Sequence, residues 1–275
     1  MNFTFGIITG GYPGSGWRDE IMCNVDSIRR QYIPNYEIII VGGPYINEGR
    51  FSDILHIKPD IKHIPFDDMQ IIKDTFKDIP YFWGKDGESG GIEPAWKTRK
   101  KNLIVENAKY ENIVFLHDYL CLTEGWYQGF LKFGNDWGVC MTKVQNIWGQ
   151  RYRDWLSWDC PIYGRRTLIP YEDNRSEVIK HTFIIGGYWI AKKELMEKEP
   201  LNEEIIVSGM IYDKEKNKFV PKDNWFDDVE WSLRIREKYK YVLNPHSVAK
   251  HIRVKFTGDE NFIGRSNCPE TVRYI

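Results

Sequence analysis

The sequence has no hydrophobic run that approaches the ~20 residues a membrane-spanning helix needs. Its first residues, MNFTFGIITGG, lack the basic start and apolar middle of a secretory signal peptide. We therefore expect no transmembrane segment, and we expect the N-terminus to form the first strand of a fold.

Cysteine is scarce, and no CxxC pair occurs. The cysteines are 5 in number and widely scattered: Cys23, Cys121, Cys140, Cys160 and Cys268. This pattern supports neither a disulfide framework nor a zinc knuckle. The simplest expectation is a reducing compartment, and hence a cytoplasmic localisation.

The sequence also lacks an excess of charge of one sign, since Lys plus Arg is 38, Asp plus Glu is 39 and the net charge is −1. This balance argues against a nucleic-acid coat or a protein that binds anionic membranes. Aromatic residues, in contrast, reach 15% of the chain with 11 tryptophans, which argues against disorder. At ~150 residues per domain, 275 residues make one large or two small domains.

The first elements are the easiest to read. Residues 3–9 are apolar and run into glycines, which predicts a buried strand that enters a loop. Residues 17–32 carry apolar side chains at helical spacing, at Trp17, Ile21, Val25, Ile28 and Tyr32. A second buried strand at 36–41 follows. Strand, helix and strand in this order predict a right-handed crossover and a parallel sheet.

Later elements follow the same logic. We predict strands around Ile57 and Ile64 and at 112–116, 138–141, 241–243 and 248–254. We predict helices at 94–110, 191–199 and 227–239, and loops at 84–91 and 201–224. The fold class is therefore α/β, as one domain over 1–275. Residues 1–120 would form a nucleotide-binding half, and 121–275 a half with a mixed sheet that carries acceptor-binding and catalytic groups.

A carboxylate that ends a buried strand stands at the rim of the sheet, where ligands of α/β proteins bind. Asp118 has this position and can hold a divalent cation, which in turn can hold a diphosphate. Alternatively, Asp118 only begins a turn.

Seven motifs, in this order over residues 3–254, resemble those of glycosyltransferases with the GT-A fold, especially the family 2 type. They are FGIITGG, YEIIIVGG, KKN at 100–102, FLHDY at 115–119, GGYW at 186–189, DDVEWSLR at 227–234 and a P-x-x-x-x-x-H segment at 245–251. The resemblance implies a GT-A fold, with a Rossmann-like nucleotide-binding half and a mixed central sheet flanked by helices.

The resemblance also implies roles for individual residues. Asp118 and His251 would hold Mn²⁺ or Mg²⁺ and the diphosphate, Asp228 would be the general base, and Asp227 would orient it or contact the sugar. The residues implied on the nucleotide-sugar side are Thr9, Gly10, Gly43, Lys101 and Asn102. Those implied on the acceptor side are Gly187, Tyr188 and Trp189. Trp155 lies outside the motifs of the resemblance and is predicted on the acceptor side because aromatic faces can pack on sugar C–H surfaces.

Two positions depart from the family pattern. Tyr119 stands where a second carboxylate is common, and Gly42 stands where an acidic residue often lies near the ribose or base.

Each assignment has a plainer alternative. Asp227 and Asp228 could simply complement a helix dipole, and His251 could be an exposed strand residue. His117 should point away from Asp118 and is expected to be structural. Of the basic residues Lys97, Arg99, Lys100 and Lys101, we expect three to form a solvated helix face. The aromatic residues at 148–171 could fill a core rather than line an acceptor groove.

The expected function is transfer of a sugar from a UDP- or GDP-linked donor to a hydroxyl acceptor on a glycan, lipid-linked sugar, protein or small molecule, with the help of a divalent metal. Inversion would follow if Asp228 acts on the face opposite the diphosphate, although a retaining transferase remains compatible. A nucleotidyltransferase is disfavoured, because GGYPGSGWR lacks its compact Gly-rich signature. Because Tyr119 replaces a carboxylate of the family pattern, a non-catalytic carbohydrate- or nucleotide-binding module is the alternative function.

Overall fold

The computed structural model describes residues 1–10, 17–43, 61–75, 95–213, 215–216 and 218–252. The predicted strand around Ile57 and the predicted loop at 84–91 lie outside these residues, as does Cys268. Across the described ranges, the helices are too short or too polar to traverse a lipid bilayer.

The strands are numbered in chain order. They are β1 (Phe3–Ile8), β2 (Tyr36–Val41), β3 (Ile61–Ile64), β4 (Asn112–His117), β5 (Leu120–Leu122), β6 (Val139–Gln145), β7 (Leu156–Ser157), β8 (Thr167–Leu168), β9 (Thr182–Phe183), β10 (Tyr188–Lys192), β11 (Met210–Asp213), β12 (Lys218–Pro221) and β13 (Tyr241–His251). The helices are α1 (Trp17–Arg29), α2 (Asp68–Thr75), α3 (Lys97–Asn107), α4 (Trp126–Phe133), α5 (Ser176–Ile179), α6 (Lys193–Lys198) and α7 (Asp227–Ile235).

A mixed sheet of 8 strands has the order β3-β2-β1-β4-β10-β6-β13-β5. The first four strands are parallel, as the strand–helix–strand pattern predicts. The β10 strand then pairs antiparallel with β4 on one side and with β6 on the other, and β13 is parallel to β6. Strands from both predicted halves therefore share one sheet, and the α/β fold class with a mixed central sheet is confirmed.

The period of two in each strand divides the core between the two faces of the sheet. In β2, for example, Ile38 and Ile40 pack in one buried cluster, whereas Ile39 and Val41 pack in the other. In β10, Tyr188 belongs to the first of these clusters and Trp189 to the second. Both faces are covered, which is why these strands read as continuous apolar runs.

The helix α1 forms where the apolar spacing predicts it, but it ends earlier. Ile21, Val25 and Ile28 are fully buried. Tyr32 lies beyond the last turn at Arg29, has a φ of 53° and is 85% exposed. The prediction that Tyr32 continues the apolar side of this helix is therefore wrong, because the helix ends at Arg29 and Tyr32 has a left-handed backbone conformation outside it.

The second half departs from the sequence prediction in several elements. The predicted helix from residue 191 begins at Lys193, because Ala191 pairs with Ile113 and Val139 inside the sheet. The helix at 227 ends at Ile235. The two closing strands form one strand, β13, with an irregular register between Asn244 and Val248.

Several short elements have no counterpart in the sequence prediction, among them β5, α4, β11 and β12. The short strand β5 pairs with β13, and α4 follows it along the chain. The predicted polar loop at 201–224 contains the hairpin of β11 and β12. These elements are short or polar, and partners distant in the chain stabilise β5 and α4, so their local pattern is weak.

Candidate active site

The ends of β1 and β4 bring two predicted nucleotide-sugar residues into contact. The strands are parallel, and Ile8 is in register with His117. Thr9 and Asp118 therefore follow at the same edge, where the Thr9 hydroxyl donates a hydrogen bond of 2.8 Å to Asp118 Oδ2. Both residues are buried. They lie at the carboxyl ends of strands, as predicted.

The buried residue Lys100 contacts this edge of the sheet from helix α3. Lys100 Nζ donates to the Thr9 carbonyl oxygen at 2.8 Å and forms an ion pair with Asp68. Burial raises the pKa of Asp68, and Lys100 only partly offsets this effect. Lys100 is 2% exposed and Lys101 is 1% exposed. The prediction that three of the four basic residues of this helix are solvated is therefore wrong, since two are buried and paired.

Gly42 approaches the same edge at the end of β2. Its φ is 134°, and a Cβ placed there would lie 2.1 Å from the Thr9 carbonyl oxygen. Gly43, a predicted nucleotide-sugar residue, follows with a φ of 58°. Gly10, the other predicted glycine, is exposed beside Thr9. The glycine at 42 is thus required by a close backbone approach, and an acidic side chain would not fit there.

We expect Gly42→Ala to lower the free energy of unfolding by about 2–3 kcal/mol, because it combines left-handed backbone strain with a clash. Chemical denaturation measures this change. Gly125→Ala is the matched control, since Gly125 has a φ of 80° and its added Cβ would contact nothing within 4 Å. Equal losses in the two variants would contradict the importance of the contact with Thr9.

The predicted catalytic carboxylates open helix α7 and are held by different groups. Lys101 Nζ donates to Asp227 Oδ2 at 2.7 Å and to the Gly186 carbonyl oxygen at 2.8 Å. The Gly186 N–H donates to Asp228 Oδ2 at 2.9 Å, and the Val229 N–H donates to Asp228 Oδ1 at 2.9 Å. A Cβ on Gly186 would lie 3.2 Å from Asp228 Oδ2, so a glycine here lets the carboxylates approach.

These contacts shift the pKa values of the two acids in opposite directions. Burial raises the pKa of Asp228, and the neighbouring Asp227 carboxylate raises it further. Burial also acts to raise the pKa of Asp227, but Lys101 and Lys97 outweigh it and hold that pKa below its usual range. Asp227 is therefore suited to stay ionised and Asp228 to exchange a proton, the division that acid–base sites use.

A cavity of about 280 Å³ opens in front of these acids. Its volume is near the lower end of ligand pockets, which are about 300–1,000 Å³. Its charged and imidazole groups are Lys97, His117, Arg153, Arg166, Asp227, Asp228 and His251. Its aromatic residues are Tyr119, Trp158, Phe183, Tyr188 and Phe226. Among the described residues, Asp118 is not part of this lining, although both of its chain neighbours are.

Tyr119 connects the two histidines of the cavity. Its hydroxyl is 2.7 Å from His117 Nδ1, and its ring stacks on the His251 ring at a centroid distance of 5.4 Å. His117 and Asp118 do take opposite directions, as predicted, because Asp118 contacts Thr9. The cavity with Asp228, however, lies on the His117 side.

Three predicted acceptor residues have buried side chains, although Tyr188 also borders the cavity. Trp189 is fully buried and stacks on Phe115 at 4.3 Å, and Trp155 is 2% exposed. Tyr188 is 1% exposed, and its hydroxyl accepts a hydrogen bond from Trp126 Nε1 at 2.7 Å. These side chains pack in the protein interior, which is the commonest use of aromatic residues. Gly187 does line the cavity, and a Cβ there would lie 3.2 Å from Tyr119 Oη.

Asn102 is not among the residues that line the cavity, and its side chain instead connects two segments of the chain through hydrogen bonds. Its amide nitrogen donates to the Leu201 carbonyl oxygen at 2.9 Å and to Glu203 at 2.9 Å, and its amide oxygen accepts from the Leu201 N–H at 3.1 Å. It therefore ties α3 to the segment that follows α6. Its neighbour Lys101 contacts Asp227, one of the two predicted catalytic acids, because consecutive helix residues point in different directions.

Sequence reasoning missed several cavity residues. The sequence pattern does not indicate Arg153, Arg166 or Phe226 as cavity residues, and Trp158 belongs only to the aromatic segment 148–171. Lys97 was recognised only as one of a basic cluster. Their one shared sequence signal is a cluster of aromatic and basic residues without periodicity, which does not show where each side chain points.

The residues predicted to hold a divalent cation offer one carboxylate, from Asp118, and one imidazole, from His251. No group of three or more His, Cys, Asp or Glu side chains suited to a metal occurs within the described ranges. Mg²⁺ and Mn²⁺ in phosphate-processing sites use one or two protein ligands together with phosphate oxygens. The donor chemistry of these two residues therefore fits a cation that arrives with a diphosphate, and not a cage built by the protein alone, but only His251 of the two lines the cavity.

No protein-family model matches the sequence, and no curated protein matches it. Solved structures do match. The crystal structure of GalNAc-T7 with UDP, GalNAc and Mn²⁺ superimposes with a TM-score of 0.55 at 12% identity, over 94% of this chain and 44% of that one. S. aureus TarS 1-349 in complex with UDP-GlcNAc gives a TM-score of 0.50 at 11% identity, over 94% of this chain and 60% of that one.

Both neighbours are GT-A glycosyltransferases. At such low identity the similarity establishes the fold, and this chain has the GT-A fold that the order of motifs implied. The chain spans 44% and 60% of the lengths of these two neighbours.

Proposed function

We propose that the protein is a glycosyltransferase that moves a sugar from a UDP- or GDP-linked donor to an acceptor hydroxyl, with inversion at the anomeric carbon. The observation that supports this most is the pair Asp227 and Asp228 at the wall of a cavity, in a chain with the GT-A fold. The neighbours were solved with UDP or UDP-GlcNAc, which supports a nucleotide-sugar donor.

In this proposal Asp228 removes the proton from the acceptor hydroxyl. An alcohol is a weak acid, so a positioned carboxylate with a raised pKa helps as the new bond forms. The two backbone N–H donors, from Gly186 and Val229, orient this carboxylate. Lys101 holds Asp227 as an anion beside it, and Asp227 maintains the high proton affinity of Asp228.

The leaving diphosphate would lie at the edge formed by Thr9 and Asp118, at the carboxyl ends of β1 and β4. Asp118 and His251 would hold Mn²⁺ or Mg²⁺ there, and such a cation stabilises negative charge on a leaving phosphate oxygen. Gly10, Gly43 and Thr9 would border the nucleotide.

We expect purified protein to release nucleoside diphosphate from a matching donor in a panel of UDP- and GDP-sugars when Mn²⁺ is added, and to lose this activity with EDTA. Asp118→Ala should lower the rate roughly 10- to 100-fold, the usual effect of weakening metal binding. Chromatography of released UDP or GDP measures it. Asp136→Ala, at a fully exposed residue, is the control and should leave the rate unchanged.

A second candidate is a non-catalytic carbohydrate- or nucleotide-binding module. Its supporting observation is Tyr119, which lies between His117 and His251 where the family pattern has a carboxylate. Tight donor binding by calorimetry, with no turnover across the full donor panel, would favour this module over the enzyme.

A further inference from the structure

Two cysteines that are 98 residues apart in the chain lie side by side in the fold. The Sγ atoms of Cys23 and Cys121 are 3.2 Å apart. Both are free thiols. A disulfide requires an S–S distance of about 2.0 Å, so a small shift of the two side chains would bring the sulfurs into bonding distance. The sequence pattern, which contains no CxxC pair, does not indicate this approach.

The contact between the thiols is part of the docking of α1 on β5. Ser27 follows Cys23 by about one helical turn, so the two residues lie on the same face of α1. Ser27 Oγ accepts a hydrogen bond of 3.0 Å from the N–H of Leu122 in β5. Just past the end of the helix, Gln31 Nε2 donates to the Thr123 carbonyl oxygen at 2.9 Å. Hydrogen bonds between a helix and a strand therefore fix the positions of the two sulfurs.

The two thiols differ in exposure, which gives them different parts in thiol–disulfide exchange. Cys23 is exposed to solvent, whereas Cys121 is 7% exposed. Burial raises the pKa of the Cys121 thiol, and its hydrogen bond with Cys23 raises it further. Attack on a disulfide requires a thiolate with access to the sulfur. Cys23 is therefore the residue that an oxidant in solution reaches, and Cys121 reacts with a sulfur that is already beside it.

The pair lies next to one wall of the cavity. β5 is the last strand of the 8-stranded sheet and pairs with β13. Cys121 is in register with Lys250, and its neighbour Leu120 is in register with His251. Leu120 and His251 both line the cavity. A covalent bond at Cys121 would thus join this wall to α1.

We propose that Cys23 and Cys121 form a reversible disulfide, with a low-molecular-weight disulfide such as oxidised glutathione as the oxidant. The Cys23 thiolate attacks one sulfur of the oxidant, which gives a mixed disulfide and releases one thiol. The Cys121 thiolate then attacks the Cys23 sulfur and releases the second thiol. The two cysteines lose two electrons and two protons, and the oxidant gains them. The bond crosslinks α1 to the edge of the sheet, and its formation requires no transferase activity.

The test treats the folded protein with oxidised glutathione, unfolds it in acid, blocks the remaining thiols with N-ethylmaleimide and maps the peptides by mass spectrometry without reduction. We expect a crosslinked peptide that contains Cys23 and Cys121. Excess reduced glutathione should restore both thiols. Cys160→Ala is the matched control, because Cys160 is also a buried free thiol and its removal should leave the crosslink unchanged.

Two variants test the order of the two attacks. Cys121→Ala should retain glutathione on Cys23 as a stable mixed disulfide, because the thiol that would displace it has been removed. In Cys23→Ser, Cys121 should stay reduced. Glutathione on Cys121 in Cys23→Ser would contradict this order. Absence of the Cys23–Cys121 peptide from folded wild-type protein, or a crosslink of either residue to Cys268 instead, would overturn the proposal.

The crosslink should also stabilise the fold, because it closes a loop of 98 residues and so restricts the unfolded chain. We expect the oxidised wild-type protein to melt about 5–10 °C above the reduced protein. Oxidised Cys121→Ala should show no such increase. Thermal unfolding followed by circular dichroism measures the difference. A crosslinked protein that melts no higher than the reduced one would contradict a bond that fits the docking of α1 on β5.

Discussion

Replacing Asp228 with asparagine is expected to lower kcat for sugar transfer about 10²- to 10⁴-fold, the range over which general-base catalysis contributes. Asparagine keeps the size of the side chain but cannot accept the proton of the acceptor hydroxyl. Because donor binding would involve other residues, the KM for the donor should change little. Steady-state kinetics with the natural donor and acceptor measures both quantities.

The pH profile gives an independent check of this role. Burial and the neighbouring Asp227 carboxylate raise the pKa of Asp228, so its base form is present above that raised pKa and is lost as the pH falls. The acid limb of kcat/KM should therefore lie above the range of an ordinary aspartate. Asp223→Asn, at an exposed residue before the helix, is the control and should keep the wild-type profile. A full rate in Asp228→Asn would eliminate the proposed base.

Lys101→Met is expected to lower the free energy of unfolding by about 3–5 kcal/mol, because it leaves Asp227 as a buried charge without its partner. The side chains of this pair are 1% and 8% exposed, and their N–O distance is 2.7 Å. The pKa of Asp227 is held low in the folded state, so its stabilisation is complete above the ordinary aspartate range and is lost as the pH falls. Urea denaturation at pH 7 and at pH 3 would measure both effects.

Lys240→Met is the matched control for this prediction. Lys240 and Asp136 form an ion pair of 2.6 Å, but these side chains are 56% and 98% exposed. Exposed pairs contribute little, so this variant should unfold like the wild type. The double variant Lys101→Met/Asp227→Asn should recover much of the lost stability, because no unpaired charge remains buried. Similar losses for Lys101→Met and Lys240→Met would contradict the argument.

Lys101→Met should also change the catalytic profile. The positive charge of Lys101 lowers the pKa of Asp228, so its removal should move the acid limb of kcat/KM to higher pH. A purely structural lysine would leave that limb where it is. The measurement is made on the fraction of the variant that remains folded.

Most of the parallel half of the fold could be predicted because its strands β1, β2 and β4 are largely buried on both faces. Residues 36–41, for example, read as YEIIIV and could hardly form anything else between a turn and two glycines. The short strand β5 gave no such signal, because its stability depends on Ala249 and His251 in β13, which follow far along the chain. The local sequence shows the hydrophobic periodicity of a strand well, but it does not show which distant strand will pair with it.

The candidate site shows the same division. The acidic character of Asp118, Asp227 and Asp228 and their order along the chain are visible in the sequence, and so is their resemblance to a family of motifs. The burial of Lys100 and Lys101 cannot be seen in the sequence, because a run of basic residues on a helix ordinarily forms a solvated face. Their partners are remote: Asp227 lies 126 residues beyond Lys101.

The sequence by itself determined the α/β class, the order of the first strands and the residue types that could carry chemistry, because these depend on local hydrophobic periodicity and side-chain identity. Only the tertiary structure decided that Lys101 pairs with Asp227, that Asp118 contacts Thr9 while His117 lines the cavity, and that Trp189 packs inside. The physical reason is that charge pairing, burial and pKa depend on distances between segments that the chain brings together only when the sheet forms.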